Sequence, residues 1–219
     1  MAKNQRNIFI GLGLVVVVAA VFAIVASGSS TSGSGSATTT IQSVDGSVAA
    51  AEYQPVTVTG EALAPLGDSG TDATIGAPGP MLKGFTHDGA PIDVASAKGA
   101  PTMLVFLAHW CPHCNREIPR LVDWKERGLV PDNLRVVGIT TGSRNDQANW
   151  PPSEWINTMK WPFEVMADSD KQQAAAAYGV DGFPFMVILD AQGNVAKRKS
   201  GEIEVADLVS IIDTAIGKS

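Results

Sequence analysis

Cys111 and Cys114 are the only two cysteines of the chain, and they stand three positions apart in Trp110-Cys111-Pro112-His113-Cys114. An apolar run of strand length, Pro101 to Ala108, comes just before them. Just after them, Glu117 to Glu126 carries Ile118, Leu121 and Val122 at helical spacing, ending at Gly128 and Pro131. A sulfur at the start of such a helix meets unsatisfied N–H groups and the positive end of the helix dipole, both of which favour an anion. Pro112 suits the first turn, where its missing N–H costs nothing. The i to i+3 spacing brings the two sulfurs within reach of a disulfide. A protonated His113 would stabilise a neighbouring thiolate, and so the reduced form, making the disulfide more oxidising. This is the equipment of thiol-disulfide exchange: Cys111, at the exposed tip, attacks, and Cys114, one turn inside, resolves the mixed disulfide.

Other uses of the pair are weaker. A structural disulfide closing so short a loop constrains the unfolded chain very little. Structural zinc needs two further ligands, and the sequence holds no second CxxC. A copper-binding metallochaperone is an alternative from another class, with His87, His109 and His113 as candidate partners of the thiolates. No metal is expected, because His109 should point away from a two-sulfur site at the helix tip. No dissociable cofactor is expected either, since a redox-active Cys111–Cys114 disulfide carries two electrons by itself.

The elements that must hold the pair follow from patterning. Continuous apolarity in the Pro101 to Ala108 run marks a strand buried on both faces, Leu134 to Thr140 reads as a second buried strand, and Phe185 to Leu189 as a further strand. Ile75 to Val94 reads as a short hairpin turning at Asp88-Gly89, and Phe163 to Met166 as a short strand. Ser153 to Lys160 can be helical with Ser153 as N-cap, and Ser169 to Tyr178 is an Ala-rich helix closed by Gly179. Asp168 and Asp170 suit helix capping better than metal binding. After a turn at Asp190 to Gly193, Asn194 to Ala196 pairs back, and Val205, Leu208, Val209, Ile212 and Ile216 line one face of a last helix. Trp150, Trp155 and Trp161, with Pro151-Pro152, belong to an irregular insertion and are expected to pack in the core. Strands alternating with helices make an α/β fold around a mixed sheet.

The rest of the chain points to a compartment. Ile8 to Ala26 is a run of nineteen residues without a charge, which as a helix spans roughly 28 Å, close to a hydrocarbon core of about 30 Å. Lys3 and Arg6 precede it and no basic residue follows until Lys83, so residues 1–7 are expected in the cytoplasm and the rest outside it. A cleaved signal peptide is the rival reading, with small residues at Val25-Ala26-Ser27. Residues 27–74, rich in Ser, Thr and Gly at their start, are expected to be a flexible linker, with Val56 to Thr59 at most an isolated strand. Residues 75–219 are left as the folded domain. A net charge of -6 supplies no basic stripe, so no nucleic-acid partner is expected. A composition 45% hydrophobic and 17% charged excludes a disordered chain.

Gly76-Ala77-Pro78, Asp88-Gly89, the motif Trp110, Cys111, Cys114, Glu117 and Pro119, and the downstream Tyr178 to Pro184 and Leu189 to Val195 resemble the membrane-anchored TlpA/ResA/DsbE-like thioredoxin-fold oxidoreductases. The likeness covers about residues 75–217. It implies a thioredoxin-like fold, a single-pass cell-membrane protein with its catalytic domain extracytoplasmic, and exported protein thiols and disulfides as partners. A membrane or extracytoplasmic redox-recycling partner is implied too. It also implies a cis Phe183–Pro184 bond that binds substrate backbone beside the pair, a kink at Pro119, and redox tuning by Trp110, Pro112, His113 and Glu117. Val105 occupies the place where thioredoxins carry a buried acid, which leaves Glu117 as the nearest acid able to assist proton transfer. Pro112-His113 resembles the dipeptide of oxidising, DsbA-type enzymes, whereas the family's reductants serve cytochrome c maturation. The direction of electron flow stays open at this point.

Overall fold

The computed structural model describes residues 46–67, 71–94, 99–215 and 217. The expected membrane segment at 8–26 and the first part of the expected linker lie outside the described residues. Among the described residues no helix is long and apolar enough to cross a membrane.

The order of elements is β1 (Thr57–Thr59), β2 (Met81–Phe85), β3 (Pro91–Val94), β4 (Thr102–Leu107), α1 (Pro112–Glu126), β5 (Arg135–Thr140), α2 (Pro152–Thr158), β6 (Glu164–Ala167), α3 (Gln173–Ala177), β7 (Phe185–Leu189), β8 (Val195–Ser200) and α4 (Val205–Ala215). Among the described residues they build one mixed sheet in the order β1-β2-β6-β5-β4-β7-β8, with β3 hydrogen-bonded to β2. β4 runs parallel to β5 and antiparallel to β7, so it is central and both of its edges are paired. This explains its unbroken apolarity. Leu104 and Phe106 face one side, with Val137, Ile139 and Tyr178. Met103, Val105 and Leu107 face the other, against Ile118, Leu121 and Trp124 of α1 and Leu208 and Ile212 of α4. Both sides of the strand are sealed, so neither face can carry a polar residue without losing its water. The result is the expected α/β sandwich around a mixed sheet.

The upstream boundary differs from expectation. Residues 46–67 do not behave as a flexible linker but run over the domain. Val58 of β1 pairs with Leu82, so β1 is an edge strand of the sheet and not an isolated one. Val48, Val56 and Leu63 are buried. The amides of Val48 and Ala51 donate to the carbonyls of Gly89 and His87. Gly89 has φ +88°, and a Cβ there would lie 1.9 Å from Val48 O, so only glycine lets the strap cross the hairpin turn. Prolines and glycines in this stretch do break regular elements. They do not prevent irregular chain from burying its apolar side chains.

A buried ion pair fastens the next stretch. Arg198 on β8 is 1% exposed and meets both carboxylate oxygens of Asp72, at 2.7 and 2.8 Å. Its remaining N–H groups donate to Ala64 O and Tyr178 O. The bidentate guanidinium holds the Asp72 carboxyl well below the usual carboxylate range. α2 starts one residue earlier than expected, at Pro152, and Ser153 is not its cap; Ser153 N and Oγ both donate to Glu52 of the strap. α3 is shorter than its Ala-rich stretch, because Gln172 just before it has φ +55°; Asp168 caps it as expected, accepting from the N–H groups of Ala174 and Ala175. Pro119 lies within an uninterrupted α1.

Asp72→Asn leaves Arg198 a buried charge without its counter-ion, and should cost about 3–5 kcal/mol in a denaturant titration at neutral pH. Because the carboxyl titrates lower in the folded state than in the unfolded chain, its contribution is present above about pH 4 and is lost as the pH falls further. The gap between wild type and variant should therefore narrow in acid.

Candidate active site

β4 ends in the buried core, and the chain then turns once, with Cys111 N donating to Ala108 O at 3.0 Å, before α1 begins. Cys111 is the N-cap of α1, with φ -77° and ψ 120° and no side-chain cap, and Pro112 follows at the first helical position. The first turn contains no carboxylate, so nothing of like charge competes with a sulfur anion there. Asn115 secures the junction by donating from Nδ2 to Cys111 O (2.8 Å) and His109 O (3.1 Å) while accepting from Trp155 Nε1 (2.9 Å).

The two sulfurs are free thiols in different surroundings. Cys114 is fully buried, and Ala108 N donates to its Sγ at 3.4 Å. Burial pushes its thiol well above the ordinary range, and the negative charges of Cys111 and Glu117 push in the same direction. Cys111 is more enclosed than an exposed helix tip, retaining 5% of its surface. Its Sγ donates to Phe183 O at 3.5 Å, directly before the Phe183–Pro184 bond, which is cis. Trp110 and Phe183, the neighbours of this sulfur in chain and in space, meet edge to face at 6.0 Å. The expectation of an open tip is thus corrected: this sulfur is almost wholly buried.

Glu117 is not a solvated helix-face residue. It is fully buried; its Oε2 accepts from Arg120 Nη1 and Ile203 N, both at 3.2 Å, while Oε1 has no hydrogen-bond partner. Burial raises its carboxyl above the usual value, with the Ile203 amide and Arg120 opposing. A buried acid with one unpaired oxygen is therefore present, one helical turn below Cys114. Val105, at the position where an acid would stand in a thioredoxin, is buried among apolar side chains.

His113 does not turn toward the thiol. It is exposed, and its Nδ1 lies 2.6 Å from Glu202 Oε1. Nδ1 also lies 2.8 Å from Arg116 Nη2, so it sits between a carboxylate that can only accept and a guanidinium that can only donate. The other imidazoles of the copper alternative are engaged elsewhere as well. His87 lies 2.9 Å from Thr140 Oγ1 and 3.3 Å from Ala51 O. His109 bonds to Ala148 O at 2.7 Å and accepts from Arg144 N at 3.1 Å. Among the described residues no three His, Cys, Asp or Glu side chains are placed to hold a metal ion.

Several site residues escape a reading of the sequence. Trp110 Nε1 donates to Gly142 O at 2.8 Å, and the Arg144 guanidinium lies over the Trp110 ring at 5.3 Å. Loop 142–149 therefore forms one wall of the site. It is pinned by His109, by Tyr53 Oη donating to Ser143 O at 2.9 Å, and by the ring of Trp150, which packs against both Tyr53 and His109. Trp155 is core, as expected, and Trp161 lies over Gly138. Arg116, Arg120 and Glu202 complete a charged cluster on the other side. The arginines had a signal, since 113, 116, 117 and 120 fall on one stripe of a helix. Glu202 had none.

His109 accepts at Nε2 and donates at Nδ1, so the bonding requires the neutral ring, and burial lowers its pKa accordingly. A base with a lowered folded value gives stability that is lost as the pH falls below its ordinary 6.5. The protection factor of the Arg144 amide should fall between pH 7 and pH 5, and His109→Gln should remove that fall.

Residues 75–198 match the AhpC/TSA family. Human nucleoredoxin is 27% identical over 130 residues, which is 58% of this chain and 28% of that protein. The thiol:disulfide interchange protein DsbE of Vibrio cholerae is 25% identical over 122 residues, 56% of this chain and 61% of that one. The sporulation thiol-disulfide oxidoreductase A of Bacillus subtilis is 25% identical over 123 residues, 56% and 72%. The chain thus spans about a quarter of the human relative and about three fifths of the Vibrio one. A thioredoxin family thiol:disulfide interchange protein from Chlorobium tepidum TLS superposes with TM-score 0.52 at 28% identity, covering 66% of this chain and 99% of that one. The resemblance to DsbE-like proteins holds on these independent grounds, and by the match over more than half its length the chain belongs to the AhpC/TSA family of thioredoxin-fold proteins.

Proposed function

We propose that the chain is a thiol-disulfide oxidoreductase held at the outer face of a membrane, acting on the thiols and disulfides of exported proteins. One observation carries the chemistry: two free sulfurs share a helix start, one at the N-cap keeping 5% of its surface and one fully buried. The relatives named as thiol:disulfide interchange proteins support the same reading. The apolar run Ile8 to Ala26 after Lys3 and Arg6 supports the anchor and the side of the membrane.

In the reducing direction the Cys111 thiolate attacks one sulfur of a substrate disulfide. The substrate S–S bond breaks, a Cys111–substrate bond forms and the first substrate thiolate leaves. Extended substrate backbone beside Phe183–Pro184 would align that sulfur, in the manner of an added strand. Cys114 then loses its proton and attacks Cys111 Sγ, closing the Cys111–Cys114 disulfide and releasing the second thiolate. Two electrons have moved to the substrate, and the reverse sequence oxidises a dithiol. Glu117 supports the second step: its raised carboxyl and unpaired Oε1 suit it to take the proton that Cys114 holds tightly. A recycling partner on the same side of the membrane must restore the pair.

Cys111→Ser should abolish exchange with a model disulfide peptide. Cys114→Ser should accumulate the Cys111–peptide adduct, visible by mass spectrometry, because the resolving sulfur is gone. Glu117→Gln should slow release of the second thiol about a hundredfold while leaving adduct formation within a few-fold. Full exchange by Cys111→Ser would dispose of the assignment.

A further inference from the structure

The dipeptide Pro112-His113 signals an oxidising pair only if the imidazole charge acts on the Cys111 sulfur. The structure engages that charge elsewhere. His113 Nδ1 lies 2.6 Å from Glu202 Oε1 and 2.8 Å from Arg116 Nη2. The same oxygen accepts from Arg116 Nη2 at 2.6 Å and Nε at 3.1 Å, and Oε2 accepts from Arg120 Nη1 at 2.7 Å. Glu202 belongs to the loop between β8 and α4, whose Ile203 amide reaches Glu117. Arg120 also pairs with Glu117 at 3.2 Å and with Glu204 at 3.1 Å. The charged groups on this side are therefore His113, Arg116, Glu117 and Arg120 from α1, and Glu202 and Glu204 from the loop.

We propose that Glu202 is a positioning residue for the sulfur pair: it takes the positive ends of His113 and Arg116 to itself, and so makes the pair less oxidising than Pro112-His113 implies. The sign follows from the charge sum. With Glu202 present, one carboxylate offsets the imidazole and guanidinium beside it. Without it, the guanidinium of Arg116, which lies 2.8 Å from His113 Nδ1 on the helix that Cys111 caps, acts on the thiolate unopposed. His113 adds whatever positive charge it carries. A stabilised thiolate favours the reduced form, and the disulfide becomes the stronger oxidant. Three donors hold the Glu202 carboxyl down to about 2, so the offset persists through mildly acidic conditions.

The inference rests on the thiol-disulfide reading. The test is the equilibrium constant of the pair against a glutathione redox buffer at neutral pH, followed by Trp110 fluorescence. Glu202→Gln should shift it toward the reduced protein by at least about tenfold, about 30 mV for two electrons. Glu202→Asp, which keeps the charge, should stay within about threefold of wild type. His113→Gln alters an exposed side chain whose charge is already offset, and should also stay within about threefold. An unmoved or more reducing Glu202→Gln, in protein with the wild-type thermal transition, overturns the proposal. So does a tenfold loss of oxidising strength in His113→Gln, which remains informative if the Glu202 variant fails to fold. Wild-type protein that exchanges no disulfide sinks the underlying reading; exchange with an unmoved constant sinks only this one.

Discussion

The site exists because a strand paired on both edges stops inside the core and the chain must leave it through a helix start. Beyond Thr102, β4 carries only buried apolar side chains on both faces, so chemistry can begin only where the strand ends, after Leu107. The next four residues make one turn, and the helix that follows offers its free N–H groups to whatever stands at its cap. Here that residue is a cysteine with no rival hydrogen-bonding side chain. The second sulfur is then bound to point back along the helix into the sealed layer beneath β4, where the Ala108 amide meets it. Strand burial, helix polarity and the difference between the two sulfurs are one constraint seen at three scales.

What the sequence made legible follows from this. Continuous apolar runs located β4, β5 and β7, because a strand buried on both faces has no other composition open to it. Helical spacing located α1 and α4. The sulfur pair announced itself by residue type and position. The surroundings of that pair were less legible, because they are assembled from distant segments. Glu202 stands 89 residues beyond His113, and Tyr53 stands 90 before Ser143. A local reading gives His113 to its sequence neighbour Cys111; the fold gives it to a carboxylate on another element. Likewise, Ser153 before an apolar stretch reads as a cap, until Glu52 takes its hydroxyl.

The two charged side chains buried beside functional or structural joints show how differently a fold can treat a carboxylate. Asp72 is met by a guanidinium at both oxygens and stays firmly ionised. Glu117 is given one amide, one shared arginine and an empty oxygen, and its carboxyl is raised instead. The first arrangement fastens chain to sheet. The second leaves an acid whose protonation is easily exchanged, beside a thiol that gives up its proton reluctantly.

The strap has a mechanical meaning. A pull on the chain upstream of residue 46 would reach the Val48–Gly89 and Ala51–His87 bonds first, then Tyr53 and its grip on Ser143, and only afterwards β1 at the sheet edge. Traction from that side would peel contacts in series and slacken the wall of loop 142–149 while the sheet was still intact. The strap and the wall of the site share one fastening.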